Sequence, residues 1–174
     1  MKNIVIIGFM GAGKSTLLNE IVKSKFFSFM DTYDLDVEIE KKFQKTVSEI
    51  INKEGLPFFR QIESSIFEGL MTKKMIIIAC GGGIVEEEKN IKLLQESICI
   101  FLDAPVEVLF QRIIKDDKER PLAMRECQSK YHFEEFKRLY ESRLSQYKNN
   151  ADLIFDTHKY KFETIISEML KIVE

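Results

Sequence analysis

The stretch GFMGAGKST, residues 8–16, directly follows the apolar run NIVIIG at 3–8, and no other feature of the chain limits its fold as tightly. It fits G-x-x-x-x-G-K-[ST] from Gly8 to Ser15, with a strand pattern before it and the helix pattern STLLNEIVKS after it. Backbone N–H groups wrap a phosphate only where side chains do not intrude, and Gly8, Gly11 and Gly13 permit that turn and close approach. A helix beginning at the loop adds its unpaired N–H donors and the positive end of its dipole. Lys14 supplies a point charge for β- and γ-phosphates, the Ser15 hydroxyl is suited to ligate Mg²⁺, and Thr16 adds a donor. Gly11, Ala12, Gly13, Lys14, Ser15 and Thr16 are thus the expected nucleotide-binding residues, with ATP or GTP as the expected cargo.

Apolar runs rich in Ile, Val and Phe recur with amphipathic stretches between them, the alternation that a parallel sheet covered by helices requires. The candidate strands are 3–8, 26–30 (FFSFM), 75–80 (MIIIAC), 97–102 (SICIFL) and 151–156 (ADLIFD), which predicts an α/β fold around a five-stranded parallel sheet. Phe162, Ile165, Ile166, Met169, Leu170 and Val173 mark one face of a final helix. Pro105 suits the first turn of a helix running through Arg112. The charged, proline-containing segment KDDKERPLAMRECQSK at 115–130 reads as a surface loop or short lid.

A chain of 174 residues with 45% apolar content and 14 Phe predicts one domain, residues 1–174, with one sizeable core. Its 26 basic and 28 acidic residues leave a net charge of -2, which offers no field to attract nucleic acid or an anionic membrane. The strand pattern beginning at Lys2 leaves no room for a signal peptide, and no apolar run approaches a bilayer span, so the expected compartment is the cytoplasm. Cys80, Cys99 and Cys127 have no CxxC spacing and are expected to be structural thiols; His132 and His158 are isolated, which argues against zinc.

A phosphate loop does not choose among switches, motors and small-molecule kinases. The base-reading N-K-x-D of guanine switches does not occur. Instead DTYDLDVEIE brings Asp31, Asp34 and Asp36 toward the carboxyl edge of the sheet, where a carboxylate holds Mg²⁺ or accepts a proton from an attacking hydroxyl. GGG at 81–83 ends a strand pattern without side chains, so a ligand can lie against the backbone of Gly81, Gly82 and Gly83. Arg60 and Arg143 offer planar guanidinium groups that match a carboxylate with two parallel hydrogen bonds, and Glu63 shares a helix face with Arg60.

In order along the chain, GFMGAGKST, DLDVEIE, FFRQIE (58–63), GGG, ERPL (119–122) and RLSQYKNNADLIFDT (143–157) resemble the motifs of the shikimate kinases. The resemblance runs from Met1 to about Thr157. It implies a three-layer P-loop NTPase fold of the nucleoside-monophosphate-kinase type, and ATP-dependent phosphorylation of the 3-hydroxyl of shikimate; the chain is expected to work as a monomer. It further implies that Asp36 binds that hydroxyl and acts as base, that Asp34 steadies Mg²⁺ through water, and that Arg60, Arg143 and the three glycines hold the substrate. Arg120 would close from the lid over the phosphates, and Arg112 would stack on adenine. Anchoring on Ile39-Glu40 and Phe59-Arg60 selects Asp34 and Asp36, whereas the Asp-Thr of the family pattern lies at Asp31, which stands as the alternative metal carboxylate. A gluconate-type kinase and a catalytically silent nucleotide-binding module are the competing functions.

Overall fold

The computed structural model describes residues 2–115 and 133–173. Strand β1 (Ile4–Ile7) runs through the middle of a five-stranded sheet of order β2-β3-β1-β4-β5, in which every pairing is parallel. Ile6 lies opposite Ala79 of β3 (Ile76–Ala79) on one side and Ile100 of β4 (Ile98–Asp103) on the other. The sequences IVII and IIIA are buried at every position, the uninterrupted apolar run expected of strands covered by helices on both faces. β5 (Leu153–Asp156) closes the far edge against β4.

The second strand departs from expectation. FFSFM at 26–30 forms turns, with Ser28 N–H donating to the Lys25 carbonyl and Met30 N–H to that of Phe27, and β2 is instead Asp31–Asp34. An edge strand has one neighbour and is half wet, so DTYD lacks the apolar run that marks a central strand. Phe27 and Met30 are buried all the same, packed as turn residues against the core.

Local signals start and stop the helices. Helix α1 (Lys14–Ser24) begins at Gly13 and ends at Lys25, both in the left-handed region. Asp34 caps α2 (Leu35–Phe43), accepting from the N–H groups of Asp36 and Val37. Thr46 and Glu49 form a reciprocal capping box on α3 (Val47–Glu54), and Pro57 lies in the first turn of α4 (Leu56–Met71). After β3, residues Ile84–Glu86 form one 3₁₀ turn before α5 (Glu88–Gln95). Helix α6 (Val106–Lys115) follows Pro105 and reaches the first residue of the expected lid; residues 116–132 with Arg120 and Cys127 lie outside the described residues.

Helices α7 (Phe133–Asn150) and α8 (Phe162–Val173) complete the fold. Phe136, Tyr140, Arg143 and Tyr147 recur at intervals of four, three and four, which puts them on one helix face, and all four are buried. Phe9 meets Phe136 and Tyr140 edge-on at centroid distances of 5.0 and 5.6 Å, while Phe101 stacks on Tyr147 at 5.0 Å. These aromatic contacts lock the angular position of α7 and thereby turn Arg143 inward. On α8, Ile165, Ile166 and Met169 are buried, and the Phe162 ring lies beneath Gly13.

Candidate active site

Parallel strands end together, so the segments following β1, β2 and β3 meet at one edge of the sheet. The loop after β1 has Gly11 at φ 81° and Gly13 at φ 91°, and a Cβ on Gly11 would lie 2.8 Å from the Leu109 carbonyl oxygen. Both conformation and space therefore demand glycine there. Lys14 Nζ donates to the Gly8 and Phe9 carbonyls at 2.8 and 3.1 Å, which holds its ammonium across the loop. Helix α1 has no side-chain cap and no acidic residue in its first turn, so its N-terminal dipole is not offset by the helix's own carboxylates. Arg112 Nη1 donates to the Gly11 carbonyl at 3.1 Å and to Thr157 Oγ1 at 2.9 Å, and Nη2 donates to the Thr157 carbonyl at 3.0 Å. The arginine thus ties the phosphate loop to the end of β5.

The carboxylates sort by position along β2. Asp31 opens the strand opposite Ile76, whereas Asp34 ends it opposite Ala79, about 10 Å further along at roughly 3.3 Å per residue. Ser15 Oγ donates to Asp34 Oδ2 at 2.7 Å. Asp31 is exposed at the opposite end of the strand from the loop, so of the two alternatives only Asp34 meets Ser15. Asp36, in the first turn of α2, brings Oδ1 to 3.3 Å from where a Gly81 Cβ would stand.

A buried charge cluster lies beside it. Arg60 and Glu63 sit on the inward face of α4 and pair at 2.8 Å, with side chains 7% and 0% exposed. Burial pushes the Glu63 carboxyl up to about 7, against the pull of Arg60 and with further push from Asp36 and Glu86. Burial also disfavours the charged Arg60, but Glu63 and Glu86 outweigh it and raise its pKa. Glu86 Oε2 lies 2.9 Å from Arg60 Nη2, and its Oε1 accepts from Arg143 Nε at 2.9 Å and Nη2 at 2.6 Å. Arg60 from α4 and Arg143 from α7 therefore converge on one carboxylate.

Two of the three glycines explain how this cluster fits. A Cβ on Gly83 would overlap the Arg60 guanidinium, and one on Gly81 would stand 2.6 Å from Glu63 Oε1. Gly82 differs: its nearest neighbours would be at 3.6 Å, an ordinary contact, and its carbonyl accepts from the Tyr147 hydroxyl. Glu86 and Tyr147 were not legible as site residues, because Glu86 opens the run EEEK, which reads as a solvated helix start. Cys80 and Cys99 are buried free thiols whose burial pushes them well above the usual thiol range, Cys99 to about 12. Among the described residues no cluster of three or more His, Cys, Asp or Glu could hold a metal, and no helix is long and apolar enough to cross a membrane.

A parallel sheet of this order, opening after its first strand into a lysine-bearing phosphate loop beside an acid and paired arginines, defines a P-loop small-molecule kinase. The family model described as shikimate kinase matches residues 10–174. The chain belongs to the shikimate kinase family. It is 38% identical over 169 residues to the shikimate kinase of Lactococcus lactis, covering 96% of this chain and 95% of that protein. With the shikimate kinase of Persephonella marina it shares 34% identity over 171 residues, 98% of each chain. The structure of the Acinetobacter baumannii shikimate kinase in complex with shikimate superposes with a TM-score of 0.86 at 29% identity, over 99% of this chain and 93% of that one.

Proposed function

We infer that the protein transfers the γ-phosphoryl group of ATP to the 3-hydroxyl of shikimate, giving shikimate 3-phosphate and ADP on the route to aromatic amino acids. The observation that carries this reading is the convergence of Arg60 and Arg143 next to Asp36 and the glycines, at the same sheet edge as the phosphate loop. Two guanidinium groups fit a carboxylate, and a carboxylic acid bearing hydroxyls is what such a pocket selects.

In this mechanism the loop N–H groups of Gly11, Ala12 and Gly13 with Lys14, Ser15 and Thr16 grip the triphosphate, and Arg112 supports the adenine side. Arg60, Arg143 and Gly81–Gly83 orient the acid. Asp36 accepts the proton of the attacking hydroxyl, whose oxygen bonds to the γ-phosphorus as the bond to the β,γ-bridging oxygen breaks. Lys14 offsets charge on the transferring group, and Arg120, outside the described residues, would add its charge from the lid at about 115–130. Water exclusion by such a lid limits ATP hydrolysis.

Mg²⁺ fits the residues present. Ser15 Oγ and Asp34 Oδ2 are hard oxygen donors 2.7 Å apart, and magnesium favours one or two protein oxygens plus substrate phosphates over an all-protein cage. Ser15 and Asp34 would hold it, and when bound it neutralises charge on the β- and γ-oxygens. The reading takes residues 1–174 as one kinase domain that works as a cytoplasmic monomer. A coupled ADP-release assay across shikimate, gluconate and other hydroxy acids tests it: shikimate should turn over, and turnover of gluconate alone would overturn the substrate.

A further inference from the structure

Glu86 spends both of its carboxylate oxygens on the two arginines just assigned to the substrate. It takes the Nε and Nη2 edge of Arg143 with Oε1 and Nη2 of Arg60 with Oε2. On Arg143 that is the Nε/Nη2 edge through which a guanidinium recognises a carboxylate, here converging on a single Glu86 oxygen, and on Arg60 it is one ion-pair contact. Resting on the functional reading above, we propose that Glu86 is a resident competitor for the substrate's carboxylate, which the substrate must displace from Arg60 and Arg143 to bind.

Two further observations separate a competitor from a clamp that the arginines need. Both guanidinium groups have other supports: Arg60 pairs with Glu63 at 2.8 Å and lies 5.6 Å from the Phe59 ring centroid, and Arg143 lies 5.8 Å from that of Phe9. Their positions therefore do not depend on Glu86 alone. Of these acidic partners, Glu63 is fully buried on a long helix, while the Glu86 side chain is 34% exposed at the end of a three-residue 3₁₀ turn. Glu86 can swing into water at small cost; Glu63 cannot. An incoming carboxylate also meets repulsion from Glu86 as long as that side chain stays, so the two anions exclude one another.

The test is the neutral, near-isosteric Glu86→Gln. Steady-state kinetics should show the KM for shikimate falling about three- to tenfold, the scale of releasing two partly exposed ion pairs, with kcat and the KM for ATP within about twofold of wild type. With shikimate methyl ester, which lacks the charge, wild type and Glu86→Gln should not differ. As a second measurement, shikimate should raise the Tm of Glu86→Ala by more than it raises that of wild type. An unchanged or higher KM for shikimate, an equal fall with the ester, or a smaller Tm rise would overturn the proposal. Failure of wild type to phosphorylate shikimate at all would instead bring down the functional reading, and this inference with it.

Discussion

Ser15 and Asp34 are joined through the Asp34 carboxylate, which serves two elements at once: Oδ2 accepts from the Ser15 hydroxyl at 2.7 Å, and Oδ1 accepts from the N–H of Asp36 at 3.1 Å. One side chain thus links the phosphate-loop helix to the start of α2, the helix that carries Asp36. Because Asn caps helices about as well as Asp, Asp34→Asn should leave stability within about 0.5 kcal/mol of wild type. A loss of the metal-directed charge should still raise the Mg²⁺ concentration needed for half-maximal rate by roughly tenfold or more. Thermal unfolding and a magnesium titration of the rate, run side by side, separate the two roles.

Asp36→Asn keeps size and hydrogen-bonding capacity but removes the base. Turnover should fall by about 10²- to 10⁴-fold, the usual contribution of a positioned general base, while ATP affinity measured by calorimetry stays nearly unchanged. Normal turnover in this variant would show that another group takes the proton.

The three glycines should respond differently to a single methyl group. Gly83→Ala would collide with the Arg60 guanidinium, and Gly81→Ala with Glu63 Oε1 at 2.6 Å. Overpacking of this kind costs typically about 1–3 kcal/mol, so both variants should lose Tm and bind shikimate more weakly. Gly82→Ala meets only contacts at 3.6 Å and should keep its Tm. A rise in its KM for shikimate at unchanged Tm would report the substrate lying against that backbone.

Glu63 makes stability depend on pH. Its folded pKa of about 7 lies above the ordinary 4.5, so between those values the native state holds more proton than the unfolded chain. The stabilisation this group contributes is fully present below about pH 4.5 and is lost as pH rises through 7, with a slope of at most about 1.4 kcal/mol per pH unit. Denaturant unfolding across pH 5–8 should show that downward component in wild type and not in Glu63→Gln. An identical pH slope in both would exclude Glu63 as its source.

Much of the architecture was legible because the relevant forces are local. The loop GFMGAGKST has glycines where backbone geometry leaves no alternative, the central strands are fully buried and so read as unbroken apolar runs, and the periodic face of α8 reflects packing on one side only. The second strand was misplaced for the converse reason: DTYD is an edge strand, and the apolar FFSFM before it buries its side chains from turns.

What the sequence by itself determined is the phosphate loop, the parallel sheet and the family, since each follows from residue spacing along a continuous stretch of chain. Only the tertiary structure decided that Asp34 rather than Asp31 meets Ser15, that Gly81 and Gly83 make room for Glu63 and Arg60, and that Glu86 bridges two arginines 26 and 57 residues away. Those relations arise where separate elements meet at the sheet edge. A charge run such as EEEK carries the same local signature whether its first residue faces water or two buried guanidinium groups.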